Sequence, residues 1–110
     1  MEIKISTIEN VQVATLDGDI DASVAPEVSA QILPLATDSA KIILDMTKVP
    51  YMSSAGLRTL LSMYRKASTN QTQLVLVGLS EDIRDTMSVT GFLNFFEISD
   101  SVESAIAKLK

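Results

Sequence analysis

Lys41-Ile42-Ile43-Leu44-Asp45-Met46, the loop Thr47-Lys48-Val49-Pro50-Tyr51-Met52, the segment Ser53-Ser54-Ala55-Gly56-Leu57 and the run Leu74-Val75-Leu76-Val77 decide the fold. The first is a near-continuous apolar run of strand length, as a strand buried on both faces requires. Leu57, Leu60, Leu61 and Tyr64 recur at i, i+3, i+4 and i+7, which predicts an amphipathic helix of about three turns. Residues 74–77 read as a second buried strand, closed by Gly78. A buried strand, a helix and another buried strand form a crossover unit, and crossovers of this length join parallel strands.

Working outward, the same pattern repeats. Ile3 and Ile5 alternate with Glu2, Lys4 and Ser6, and Val11, Val13 and Thr15 alternate with Gln12 and Ala14. Two short strands joined by a turn at Glu9-Asn10 follow from that period of two. Pro26 stands where a helix can open, Val28, Ile32 and Leu35 recur at helical spacing, and Pro34 ends that helix near its last turn. Ile83 and Met87 mark a third helix, with Glu81 and Asp82 in its first turn and Gly91 just beyond its end. Phe95-Phe96-Glu97-Ile98 reads as a last short strand. Val102, Ala105, Ile106 and Leu109 make a closing helix, with Lys108 and Lys110 at the end that favours cations. The expected architecture is one α/β domain over residues 1–110, with a mostly parallel sheet, an amino-terminal antiparallel hairpin and four helices.

Composition removes whole classes of chemistry. A chain of 110 residues can bury roughly 60–65% of the surface its unfolded form exposes, enough for one core. Nine Lys+Arg against fourteen Asp+Glu leave a formal charge of −5, the wrong sign for gripping phosphate backbones, so nucleic acid is not an expected partner. The absence of Cys removes disulfides, thiolate nucleophiles and zinc-thiolate sites. The absence of His removes the usual general base and the usual transition-metal ligand. The four glycines, Gly18, Gly56, Gly78 and Gly91, stand too far apart for a dinucleotide fingerprint or a phosphate loop. No cofactor or metal is implied. Met1-Glu2-Ile3-Lys4-Ile5 alternates polar and apolar, unlike a signal peptide, and no apolar run approaches the roughly 18 residues of a membrane span. The expectation is a cytoplasmic, monomeric protein with no membrane partner.

Two segments carry polar groups in suggestive positions. Asp17-Gly18-Asp19-Ile20-Asp21 tests as a calcium loop and fails, because Ala22 stands in place of the turn glycine and Val28 in place of the bidentate glutamate. It reads instead as a strand end and turn with solvated carboxylates, where Gly18 permits an unusual backbone angle. Ser53 and Ser54 meet the start of the Leu57 helix, where N–H groups lack partners, so one of them can serve as an N-cap. Gly56 inside the first turn is unfavourable for a helix and suggests that something approaches the backbone closely. A phosphate on Ser54 would lie over free N–H groups and the positive end of the helix dipole.

Val49-Pro50-Tyr51-Met52-Ser53-Ser54-Ala55-Gly56-Leu57 resembles the signature of the STAS domain, and of bacterial anti-sigma factor antagonists in particular. Leu16-Asp17-Gly18-Asp19-Ile20-Asp21, Ile42-Ile43-Leu44-Asp45-Met46 and Met87-Ser88-Val89-Thr90-Gly91-Phe92 resemble three further segments of that family, in order and without large gaps. The resemblance implies a protein-interaction switch and no enzyme. The unphosphorylated form would bind an anti-sigma factor that is also a GHKL-type serine kinase. Phosphorylation at Ser54 would end binding, and a PP2C-like phosphatase would restore it. Ser53 stands where many members have Asp and is the alternative acceptor; Ala55 stands where many have a second hydroxyl. Asp19, Asp21, Met52, Ser53, Ser54, Ala55, Gly56 and Leu57 would form the partner contact, with the acids read by a basic patch. A STAS-type ligand or nucleotide sensor, or a regulatory subunit acting on something other than a sigma factor, is the alternative within the family. A receiver-like domain using Asp17, Asp19 and Asp45 lacks a lysine directly after the strand at Phe96. A Mg²⁺ enzyme would have only Asp17, Asp19, Asp21 and Asp45 to work with.

Overall fold

In the computed structural model, which describes residues 1–109, a five-stranded sheet has the spatial order β1-β2-β3-β4-β5. The strands are β1 (Glu2–Ile8), β2 (Val11–Asp17), β3 (Lys41–Lys48), β4 (Gln73–Val77) and β5 (Glu97–Ser99). The α-helices are α1 (Ala25–Ile32), α2 (Ser54–Thr69), α3 (Glu81–Val89) and α4 (Val102–Leu109). Only β1 and β2 pair antiparallel; every other pair is parallel. The predicted hairpin turn is present, with Glu9 and Asn10 both at positive φ.

Strand order dictates helix placement. Successive crossovers step the same way across the sheet, and right-handed connections therefore put α1, α2 and α3 on one face. The even-numbered apolar residues of the strands, Ala14, Leu16, Ile42, Leu44, Met46 and Leu76, pack there against Val28, Ile32, Leu57, Leu60, Met63, Ile83 and Met87. The intervening residues Val11, Val13, Ile43, Val75 and Val77 point to the other face and meet Ala105, Ile106 and Leu109 of α4. This is why β3 and β4 read as unbroken apolar runs: both faces are covered.

Three boundaries depart from the expectation. β3 runs on through Thr47 and Lys48, because Gly18 N–H donates to the Lys48 carbonyl at 3.0 Å and extends the β2–β3 pairing. α2 exceeds three turns, since Met63 and Ala67 carry its buried stripe further. The last strand begins at Glu97 and not at Phe95. Residues Phe92–Phe95 instead form a 3-10 turn, in which Phe95 stacks on Tyr64 with ring centroids 5.4 Å apart. That stacking, with Phe96 edge-on to the same ring, curls the chain where an extended strand was expected.

Candidate functional site

All parallel strands end on one side of the sheet, so the β2–α1, β3–α2 and β4–α3 loops gather at a single edge, where open α/β sheets place their sites. β2 leaves the sheet at Gly18, whose φ of 122° admits no ordinary side chain without strain. The Asp19-Ile20-Asp21 segment then runs beside Tyr51-Met52-Ser53 as a short extension of the parallel pairing. Ile20 N–H donates to the Tyr51 carbonyl at 3.0 Å, and Ser53 N–H donates to the Ile20 carbonyl at 2.8 Å. Ile20 is buried between them. The acidic loop and the serine loop are thus one structural unit.

Their roles within that unit divide cleanly. Asp21 is committed to local structure: its carboxylate accepts from the Ser23 N–H at 2.9 Å and the Ser23 hydroxyl at 2.6 Å. The Ser23 side chain, then its N–H, hold the Asp21 carboxyl below its ordinary value. Asp19 projects into solvent. Ser53 is the N-cap of α2, its hydroxyl oxygen accepting from Gly56 N–H at 3.2 Å. Ser54 is the first helical residue; it is exposed, and among the described residues its hydroxyl has no hydrogen-bond partner. The two serines, either of which the sequence allowed as the cap, are therefore distinct: Ser53 is consumed by the fold, and the Ser54 hydroxyl has no partner among the described residues. Replacing Ser53 with Ala is expected to remove about 1 kcal/mol of stability through loss of the cap, measurable as a shift in the urea midpoint. The matching Ser54→Ala change should leave that midpoint unmoved.

Gly56 is explained from inside the protein. A Cβ there would lie 2.7 Å from the Ile20 carbonyl oxygen, 2.6 Å from Met52 Cγ and 2.9 Å from Ile20 Cγ2. The close approach inferred from its position is thus made by the Ile20 loop and the Met52 side chain. Gly56 and Leu57 are buried, Met52 and Ala55 half-buried. Gly56 sets how near α2 can come to the acidic loop, and Leu57 forms part of the adjoining groove.

That groove, about 410 Å³, lies between the serine loop and α3. Pro50, Tyr51, Met52, Ser53, Ser54 and Leu57 form one wall, and Asp82, Ile83, Thr86 and Thr90 the other. Tyr51 is 55% exposed at its mouth, and Val89 on α3 is 88% exposed. Exposed apolar groups beside a mostly apolar groove with a single acid, Asp82, in its lining mark a contact surface more than a catalytic pocket. Sequence reasoning passed over Tyr51, Asp82 and Thr86 as site residues. Val89, outside the groove lining, is an exposed apolar residue on what should be the polar face of α3. Among the described residues no cluster of three or more acidic groups could hold a metal ion, and no helix is long and apolar enough to cross a membrane.

The STAS domain profile matches residues 2–105, nearly the whole chain. The protein belongs to the STAS domain family. Among curated relatives, BtrV of Bordetella bronchiseptica, whose name marks it as a candidate anti-sigma factor antagonist, is 29% identical over 111 residues, covering 100% of this chain and 96% of that protein. The anti-sigma-B factor antagonist of Listeria monocytogenes is 29% identical over 101 residues, covering 91% and 88%. The Bacillus cell-fate determinant SpoIIAA in its phosphorylated form superposes with a TM-score of 0.76 at 19% identity, covering 99% of this chain and 100% of that one. That structural likeness establishes the STAS fold, with its antiparallel first pair and its parallel remainder.

Proposed function

We propose that this STAS protein is an anti-sigma factor antagonist that works by partner switching. In its unphosphorylated form it binds an anti-sigma factor that is also a GHKL-type serine kinase, freeing the sigma factor. Phosphorylation of Ser54 ends that binding, and a PP2C-like phosphatase reverses it. The names of the near-full-length relatives support the antagonist role. The observation that carries the switch is the exposed, unpartnered Ser54 hydroxyl on the rim of an apolar groove, beside a serine already used as a cap.

The physics of the site suits such a switch. Ser53 N–H and Gly56 N–H are satisfied by the Ile20 carbonyl and the Ser53 hydroxyl. The N–H groups of Ser54 and Ala55 remain for a phosphate to lie against, at the positive end of α2. A phosphoryl group adds about −1.5 to −2 charge at neutral pH, so a surface starting from −5 gains its new charge on the rim of the groove. The domain tolerates the modification while a partner that must desolvate it does not. Incubation with the purified kinase, followed by phosphosite mapping by mass spectrometry, should place a single phosphate on Ser54. Phosphate found on Ser53 or on another residue would overturn the site assignment.

A further inference from the structure

The two edges of the sheet are unlike. β5 has only three residues, and Lys108 Nζ donates to its Ile98 carbonyl at 2.8 Å. β1 is seven residues long and pairs with β2 in unbroken register from Glu2↔Asp17 to Ile8↔Val11. It has no proline, no bulge and a single lysine. Neither of its faces is well covered: Ile3 is half-buried, and Ile5 and Ile8 are 41% and 40% exposed. Folded proteins ordinarily blunt edges of this kind, because a row of free backbone groups recruits another strand.

The hairpin turn decides which backbone groups are free. Glu9 and Asn10 at φ 50° and 69° make a two-residue primed turn, so Ile8 and Val11 form the hydrogen-bonded pair that closes it. Alternation then directs the N–H and C=O groups of Ser6, Lys4 and Glu2 into β2, and those of Ile3, Ile5 and Thr7 outward. These three share the sheet face on which Ile3 packs against the main core. A strand that accepts their hydrogen bonds therefore meets two isoleucines on one side.

We propose that β1 pairs antiparallel with β1 of a second copy of this chain, about a two-fold axis at Ile5, to form a continuous sheet across the dimer. In that register Ile5 faces its own mate, Ile3 faces Thr7, Lys4 faces Ser6 and Glu2 faces Ile8, so no like charges stand directly opposite. Moving the axis to Lys4 would set two ammonium groups against each other, and moving it to Ile3 would carry Ile5, Ser6, Thr7 and Ile8 beyond the partner's β1. β1 holds one Glu and one Lys in a chain of net charge −5, so this neutral strip is where two acidic molecules approach with least repulsion. A two-fold contact of identical surfaces is also the commonest closed assembly. The protein then is not the monomer expected from sequence. Because the pairing is antiparallel, the two Ser54 grooves lie at opposite ends of the joined sheet and stay free.

Sedimentation velocity tests this directly. Wild-type protein should shift from monomer to dimer as concentration rises toward the millimolar range. Ile5→Pro removes an N–H that β2 does not use, so the hairpin persists while the dimer is lost. Ile5→Lys, at an exposed position that tolerates charge, should weaken self-association about tenfold or more. Circular dichroism equal to wild type would show that both variants are folded. A wild-type protein that sediments as a monomer throughout, or a dimer that survives both substitutions, would overturn the proposal.

Discussion

Ser54→Asp is expected to weaken binding to the anti-sigma factor strongly, and phosphorylated wild-type protein to bind at least about thirtyfold more weakly than the unmodified form. Ser54 sits on the rim of the groove between the serine loop and α3, so a partner covering that groove must strip water from whatever Ser54 carries. Stripping water from an unmatched anion at an interface costs about 2–5 kcal/mol or more, and each 1.4 kcal/mol is a factor of ten. Ser54→Ala should bind within a few-fold of wild type and accept no phosphate. The stability of the same variants separates this from unfolding. A negative charge at the first position of α2 interacts favourably with the helix dipole, by about 0.3–1 kcal/mol, so Ser54→Asp should melt at or slightly above wild type. Calorimetric titration of purified partner, with thermal melts of each variant alongside, checks both halves. Equal affinity of Ser54→Asp and wild type would remove Ser54 from the contact.

Gly56→Val is expected to produce the largest loss of stability of any single change at the site. Its Cβ alone would overlap the Ile20 carbonyl and the Met52 side chain, and valine adds two methyls to that carbon. Met52 can swing aside, but the Ile20 carbonyl is backbone and is already accepting from Ser53 N–H. Overpacking of this kind costs about 1–3 kcal/mol and sometimes more, and a β-branched residue in a helix adds no compensation. At roughly 4–8 °C per kcal/mol for a domain near this size, the melting temperature should fall by about 10 °C or more. Partner binding should fall with it, because the change pries the acidic loop from the serine loop. Gly91→Ala is the control. Gly91 has φ 80° but nothing within 4 Å of an added Cβ, so it carries the backbone strain of a left-handed alanine without the collision. It should lose only about 1–2 kcal/mol and bind normally. A Gly56→Val protein as stable as wild type would mean that α2 does not sit as close to Ile20 as the geometry places it.

Local patterns made much of this protein legible. The period of two in β1 and β2, the unbroken apolar runs of β3 and β4 and the i, i+3, i+4 stripe of α2 each follow from burial on one face, on two faces or along one helical side. Pro26, Pro34 and Gly91 marked helix boundaries for equally local reasons. The errors fell where a distant contact overrides the local pattern: Phe95 coils because Tyr64 offers it a ring to stack on, and β3 lengthens because Gly18 lends it another hydrogen bond.

At the site the boundary is sharper. Sequence by itself determined that two hydroxyls stand at a helix start, that acids lie on a turn before another helix, and that no His or Cys is available for catalysis. Only the tertiary structure decided which serine is spent and which is free, and what Gly56 is for. The reason is that both answers depend on Ile20, whose carbonyl takes the Ser53 N–H and blocks the space above Gly56. That carbonyl belongs to a different loop, brought alongside by the pairing of β2 with β3, and no spacing rule within the serine segment contains it.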